Sequence, residues 1–203
     1  TTLNDTSDDV IDGGAGTDTM TITGAGAVTV FAADASLQNV ENVTFLTDSI
    51  TWSAVAQTEA LHITTANGTN AAGFDGAVAH RYTGGTGADT LTFAGQVDLA
   101  AAGVSTGGTG ANVLALGAAS TAVVDADFAN MSLFQTLDLA GTANTVVLGS
   151  SAQAAGIASV IGGSAATTIT STMSNTTSVS SSTTTTTTTI ATATAIEKSI
   201  EIL

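Results

Sequence analysis

The chain has 203 residues, 17 of them acidic and only two basic (Arg81 and Lys198), for a formal net charge of −15. The absence of a basic patch excludes nucleic acid as a partner, and the absence of cysteine excludes disulfides. No run approaches the roughly 18 apolar residues of a membrane span, so no membrane insertion is expected. More than half of the chain is Ala, Thr, Gly and Ser, and 4% is aromatic. That is a poor recipe for a thick globular core, but it suits a thin coil filled by small and β-branched side chains.

In chain order, the first signal is a pair of nine-residue units. Gly13–Thr21 fits G-G-x-G-x-D-x-U-x (U a large apolar residue) at every fixed position, and Asn4–Asp12 is a worn copy with Asp9 in the Asp slot. Short Val/Ile/Leu/Thr-rich runs then recur between Gly-rich turns, which predicts strands rather than helices. They are Thr19–Ile22, Ala27–Phe31, Asn42–Leu46, Leu61–Thr64, Thr90–Phe93, Val113–Leu116, Thr136–Leu139, Thr145–Leu148, Ala158–Ile161 and Thr167–Thr170. The turn motif returns as Gly84-Gly85-Thr86-Gly87-Ala88-Asp89, and again with Asn for Asp as Gly107-Gly108-Thr109-Gly110-Ala111-Asn112. Motif starts at Gly84 and Gly107 lie 23 residues apart, and those at Gly141 and Gly162 lie 21 apart. Short helical insertions are expected at Ala32–Val40, Ser53–Ala60, Ala126–Phe134 and Ser150–Ala155. Leu46–Val78 lacks the Gly-Gly motif and reads as coils without calcium or a small insertion. Met173–Thr194 is a Ser/Thr tract that reads as a linker, a glycosylated stalk or a terminal strand. Ile196–Leu203 could cap the coil or meet a neighbour.

The spacing has a chemical reason. Glycine supplies left-handed turn conformations and lets carbonyl oxygens point inward. Ca²⁺ takes about six to eight oxygen ligands at about 2.3–2.6 Å. The turn offers carbonyls and its sixth slot a carboxylate, while the apolar residue two positions on (Ile11, Met20, Leu91, Leu114) anchors the turn inside the coil. The candidate metal-site residues are therefore Asp9, Gly13, Gly14, Gly16, Asp18, Gly84, Gly85, Gly87, Asp89, Gly107, Gly108, Gly110 and Asn112. A complete site takes two stacked turns, and Gly162–Thr167 has no carboxylate to offer. Asp75, Asp98, Asp125, Asp127 and Asp138 read as extra calcium ligands or ordinary solvated turn residues, the latter being favoured outside the motifs.

These motifs resemble the repeats-in-toxin family of calcium-binding secreted proteins. The longer spacing is similar to the subgroup found in bacterial surface-layer proteins and large adhesins exported by type I secretion. The resemblance covers Asn4–Thr21, Gly84–Phe93 and Gly107–Leu116 closely, and Leu139–Thr170 more loosely. It implies an all-β, right-handed parallel β-solenoid (a β-helix or β-roll) with short helical insertions, Ca²⁺ as cofactor, and a secreted, cell-surface location. It also implies a structural role in a lattice or filament assembled edge to edge from copies of the chain, with a domain of a large adhesin as the alternative and cell-surface polysaccharide as a further partner. The chain opens at Thr1 without an initiator Met, which suggests a processed product or part of something longer. Type I export uses a C-terminal signal and needs no N-terminal one.

The expected organisation is calcium-binding nonapeptide coils over residues 1–30, irregular β coils or a small insertion over 31–83, a solenoid with Gly-rich turns over 84–170, and a Ser/Thr-rich C-terminal segment over 171–203. Catalysis finds little support. His62 and His80 sit in no metal-ligand spacing, no G-x-S-x-G turn is present, and His80-Arg81-Tyr82 reads as an exposed edge or packing contact. One Arg and one Lys are too few for a polysaccharide-cleaving groove. No T-x-T register over successive coils marks an ice-binding face.

Overall fold

The computed structural model describes residues 10–23, 28–33, 36–55, 57–117, 122–139, 144–163, 167–174, 178–180 and 187–190. Asp9 with the rest of Asn4–Asp9, Gly141 and the Ile196–Leu203 segment lie outside them.

In Thr90–Phe93, Val113–Leu116 and Thr136–Leu139 every second residue is buried, as a strand with one wet and one dry face requires. Each pairs in parallel with its counterpart one coil on: Leu91 with Leu114, Leu114 with Leu137, and Leu137 with Val160. A parallel partner cannot be reached by a tight turn, so the chain makes a full circuit between strands. Repeated, that circuit is the expected parallel β-solenoid.

Two long sheets run along it. Sheet I stacks Thr19–Ile22, Asn42–Phe45, His62–Thr64, Arg81–Thr83, Ser105–Thr106 and Met131–Ser132. Sheet II stacks eight strands, Val28–Ala33, Ile50–Val55, Ala71–Phe74, Thr90–Phe93, Val113–Leu116, Thr136–Leu139, Ser159–Ile161 and Ser178–Ser180. Sheet III joins Asn144–Leu148, Thr167–Ser171 and Thr187–Ile190, so part of the Thr tract is a strand. The pair Ile11–Asp12 and Leu37–Gln38 opens the stack. Leu46–Val78 supplies strands to both long sheets.

The interior is built from columns of like residues. One runs Trp52, Ala72, Leu91, Leu114, Leu137 and Val160, and every member is buried. Phe74 and Phe93 stack beside it with ring centroids 6.0 Å apart. Each column buries its apolar surface only against the coils above and below, so stability is shared between neighbours.

Helices occupy the longer coils. Equivalent positions lie 22 residues apart in the first coil of sheet II, 20 and 19 apart in the next two, then 23 and 23. The extra residues form α1 (Gln96–Ala101), a 3-10 turn at Asp125–Phe128 and α2 (Ser150–Ala155). α2 lies where the sequence predicts it, whereas α1 is an addition. The helix expected at Ala126–Phe134 shrinks to that 3-10 turn followed by the strand Met131–Ser132. The helices expected within Ala32–Val40 and Ser53–Ala60 are replaced by strand at Val28–Ala33, Leu37–Gln38 and Ile50–Val55. Ala-rich stretches suit either conformation; burial of Ile50 and Trp52 on one side, with exposed Thr51 between them, imposes the period of two.

Candidate metal-binding turns

The turns Gly84–Asp89 and Gly107–Asn112 leave sheet I, enter sheet II and lie directly on one another. Thr86 bridges Thr109 in parallel; Gly87 N–H donates to Thr109 O at 2.8 Å, and Thr109 N–H to Gly85 O at 3.0 Å. A third turn, Thr65–Asn70, stacks on the other side, with Gly68 N–H donating to Thr86 O at 2.6 Å. Gly68, Gly87 and Gly110 share its fourth position and all have positive φ (98°, 128° and 151°). A methyl at Gly87 would meet the Gly68 carbonyl, and one at Gly110 the Gly87 carbonyl. Glycine is therefore demanded twice over, by φ and by the approach of the next backbone.

The first glycine has a different task. A side chain at Gly84 would strike Asp89 Oδ2 and Gly107 O; at Gly107, the Asn112 side chain and Leu133 O; at Gly13, Asp18 Cβ and Asn39 O. In all three motifs position one is empty so that the position-six side chain and a carbonyl from the next coil can share the space.

The position-six side chains form a buried ladder. Ile50 N–H donates to Asn70 Oδ1 at 3.2 Å, Asn70 N–H to Asp89 Oδ1 at 3.1 Å, Asp89 N–H to Asn112 Oδ1 at 2.9 Å, and Asn112 N–H to Gln135 Oε1 at 2.7 Å. The amide rungs also use their nitrogen: Asn70 Nδ2 donates to Ala66 O and Asp89 Oδ1, and Asn112 Nδ2 to Gly108 O and Leu133 O. Asp89 alone has an oxygen there. Asp89 is wholly buried and its Oδ2 has no hydrogen-bond partner. Burial pushes its carboxyl above the usual range, against the opposing pull of nearby donors on Asn70, the Tyr82 hydroxyl and the Gly85 N–H. Tyr82, buried beside it and bonded to Thr65 Oγ1 at 3.1 Å, is likewise raised by burial. The sequence reading missed Asn70 and Gln135. The signal for Asn70 was there: Thr65–Asn70 has Gly in position four and Asn in position six.

Gly13–Asp18 occupies another corner, where the chain enters sheet I rather than leaves it. Gly14 and Gly16 have φ of 84° and 134°. Asp12 Oδ1 accepts from Gly14 N–H at 3.0 Å and Asn39 Nδ2 at 2.7 Å, and the Asn39 and Gly14 donors lower its pKa. Asp18 N–H donates to Glu41 Oε2 at 2.7 Å, and Asn39 N–H to Glu59 Oε1 at 3.2 Å. Asp18 Oδ2, like that of Asp89, is shielded from water without a partner.

Both described motif carboxylates thus keep one shielded oxygen without a partner beside glycine backbone, as Glu59 Oε2 does outside the motifs; each offers a hard cation a single carboxylate oxygen. Among the described residues no group of three or more His, Asp or Glu is placed to hold a metal. Further ligands would have to be turn carbonyls, and beside Asp89 the neighbouring rungs are amides.

Other acids serve the frame. Asp98, Asp125 and Asp127, expected as solvated turn residues, bind backbone N–H groups instead. Asp98 Oδ2 accepts from Gly95 N–H at the start of α1, and its Oδ1 from Ala77 N–H one coil away, both at 2.8 Å. Asp127 accepts from Val124 N–H at 2.9 Å and Gln96 Nε2 at 3.0 Å. Asp125 accepts from Gly149, Ala152 and Ser151 N–H at 2.7, 2.9 and 3.0 Å, capping α2 from the preceding coil. His80 is a packing contact: it is buried, stacks on Phe74 at 4.8 Å and accepts the Leu61 N–H on Nδ1.

No protein-family model, no characterised protein and no solved structure matches the chain.

Proposed function

We propose that this chain is a structural, calcium-binding subunit of an extracellular, self-assembling surface layer or filament, exported by type I secretion. The observation that carries the reading is the unsatisfied, water-shielded Oδ2 of Asp18 and of Asp89, each in a glycine turn of a solenoid. Calcium, when bound, supplies positive charge and an ordering centre for oxygen ligands. The chain's own part is preorganisation. Gly13 and Gly84 clear the space, Asp18 and Asp89 present one oxygen each, and the carbonyls of Asn39 and Gly107 face the same space. Gly14, Gly16, Gly85 and Gly87 carry the turns, and Gly107, Gly108, Gly110 and Asn112 form the floor on which the Asp89 turn rests. At low calcium, mutual repulsion at −15 opposes a compact coil, which suits export of an unfolded chain. At about millimolar calcium, sites in the ~10⁻⁴–10⁻³ M class of extracellular modules fill.

Electron microscopy after dialysis against chelator, then Mg²⁺, then Ca²⁺ tests this. Order is expected to vanish in chelator and return with Ca²⁺. Mg²⁺ should restore it poorly, because it demands octahedral geometry and dehydrates reluctantly. If NaCl or Mg²⁺ restores order as well as Ca²⁺, the effect is screening and the specific-site reading falls. A chain that folds with Ca²⁺ yet stays monomeric is a domain of an adhesin instead.

A further inference from the structure

The outer faces of the two long sheets differ from the rest of this acidic chain. Among the described residues, Asp18, Glu41, Asp48, Glu59, Asp75 and Asp89 lie between strands, Asp98, Asp125 and Asp127 in the helical segments, and Asp12 in the small opening pair. The outward side of sheet I carries no carboxylate. It presents a column of Thr21, Thr44, Thr64, Thr83, Thr106 and Ser132, and beside it Thr19, Asn42, His62 and Arg81. From Thr51 to Ile161, the outward side of sheet II is built of Thr, Ser, Ala, Gly, Val and Ile with one acid, Asp138, paired in register with Ala115 and Ile161.

Arg81 is the chain's only arginine; its one lysine, Lys198, lies outside the described residues. Arg81 is exposed and has no carboxylate partner among the described residues. Its stem lies over Gly103 of the next coil, where a methyl would sit 2.6 Å from Arg81 Cγ. Gly103 therefore lets the arginine lie down along the sheet rather than stand off it.

We infer that sheet I of one copy docks on sheet II of the next, with Arg81 meeting Asp138 across the contact. The inference rests on the self-assembly reading above and names its surfaces. Two copies at −15 each repel wherever acidic corners face one another, whereas these two faces can approach without that cost. Arg81 then meets Asp138, the one acid on the described outward side of sheet II, fixing register along columns of mostly small side chains. Because the two faces are different surfaces, the contact is heterologous and propagates into an open assembly rather than closing as a dimer.

The test uses the full chain in calcium, with sedimentation and electron microscopy to read the critical concentration for assembly and circular dichroism to check folding. Arg81→Glu and Asp138→Lys, each alone, should raise the critical concentration about tenfold or more, since each sets like charges face to face. An equimolar mixture of the two should assemble again, in strict alternation, because every contact then pairs opposite charges. Should either variant fold poorly, Arg81→Gln and Asp138→Asn make the same comparison with smaller loss. Assembly of the single variants at the parent's concentration, or folded variants whose mixture stays dispersed, overturns the docking and leaves the calcium-dependent assembly standing. A parent that assembles under no condition overturns both.

Discussion

Asp89 occupies a rung that its neighbours fill with amides, and one atom makes the difference. Asn70 and Asn112 turn an N–H toward turn carbonyls, whereas Asp89 turns an unpartnered oxygen toward the same kind of surroundings. A buried acceptor without a donor costs about 1–3 kcal/mol. The Tyr82 and Gly85 donors near the carboxyl offset part of that cost, so Asp89→Asn is expected to raise stability by less than that in chelator at neutral pH, and to lose whatever calcium adds at this turn. The sign with pH follows from the raised carboxyl value, which burial causes. The protonated form suits the fold, so the parent in chelator gains stability as pH falls through the raised folded value, the gain being complete below the unfolded one. Asp89→Asn should lack that gain. Denaturant titrations of both proteins across acid and neutral pH decide it; parallel curves would remove Asp89 from the argument.

At the level of an element, α2 shows how a piece too short to stand alone is held. Six residues are far below the length at which an isolated helix persists in water, and Gly149 at its start has no side chain to cap it. Asp125 does so from the previous coil, while Ala152 and Ala155 are buried below and Gly156 ends the helix at φ 100°. Burial alone would push the Asp125 carboxyl up, but the Ala152, Ser151 and Gly149 N–H groups outweigh it and leave the value lowered. Its contribution is therefore present above the ordinary carboxylate range and is lost as pH falls through the lowered folded value. Asp125→Ala should cost about 0.5–2 kcal/mol, the range for losing a helix cap. Amide hydrogen exchange should then quicken first at Ser151 and Ala152. Unchanged protection there would mean that the cap contributes nothing.

For the whole molecule, the stacked turns set how closely coils lie. Gly110 and Gly87 stand where backbone meets backbone, but Gly14 has open space around it. All three have positive φ, so Gly14→Ala should cost about 1 kcal/mol from conformation alone. Gly110→Ala adds a clash with the Gly87 carbonyl that is relieved only by prising two coils apart. Because each coil is stabilised by its neighbours, that strain should be felt along the stack, lowering Tm by more than Gly14→Ala does and broadening the transition. Thermal unfolding followed by circular dichroism makes the comparison; equal shifts for the two variants would show that the turns are not in mutual contact.

The sequence by itself determined the strands that alternate cleanly, Thr19–Ile22, Thr90–Phe93, Val113–Leu116 and Thr136–Leu139, and the six-residue turns between them. Alternation and left-handed glycines are local properties, readable within a few residues. Their recurrence about every 20 residues pointed to a repeating coil, and the family resemblance of the turns implied the parallel solenoid. What only the tertiary structure decided was which corner each turn occupies, and which residue lies over which. Gly13–Asp18 and Gly84–Asp89 share a motif, yet one leads into a strand of sheet I and the other leaves one. Asn70 and Gln135 join the Asp89 ladder without a Gly-Gly signature. Ile50–Val55 is extended although its Ala-bearing sequence suits a helix, and Asp125 caps a helix one coil away. Each of these depends on a partner 19 to 27 residues distant, brought near by coils of unequal length. No local pattern encodes that distance; it is set when the apolar columns stack.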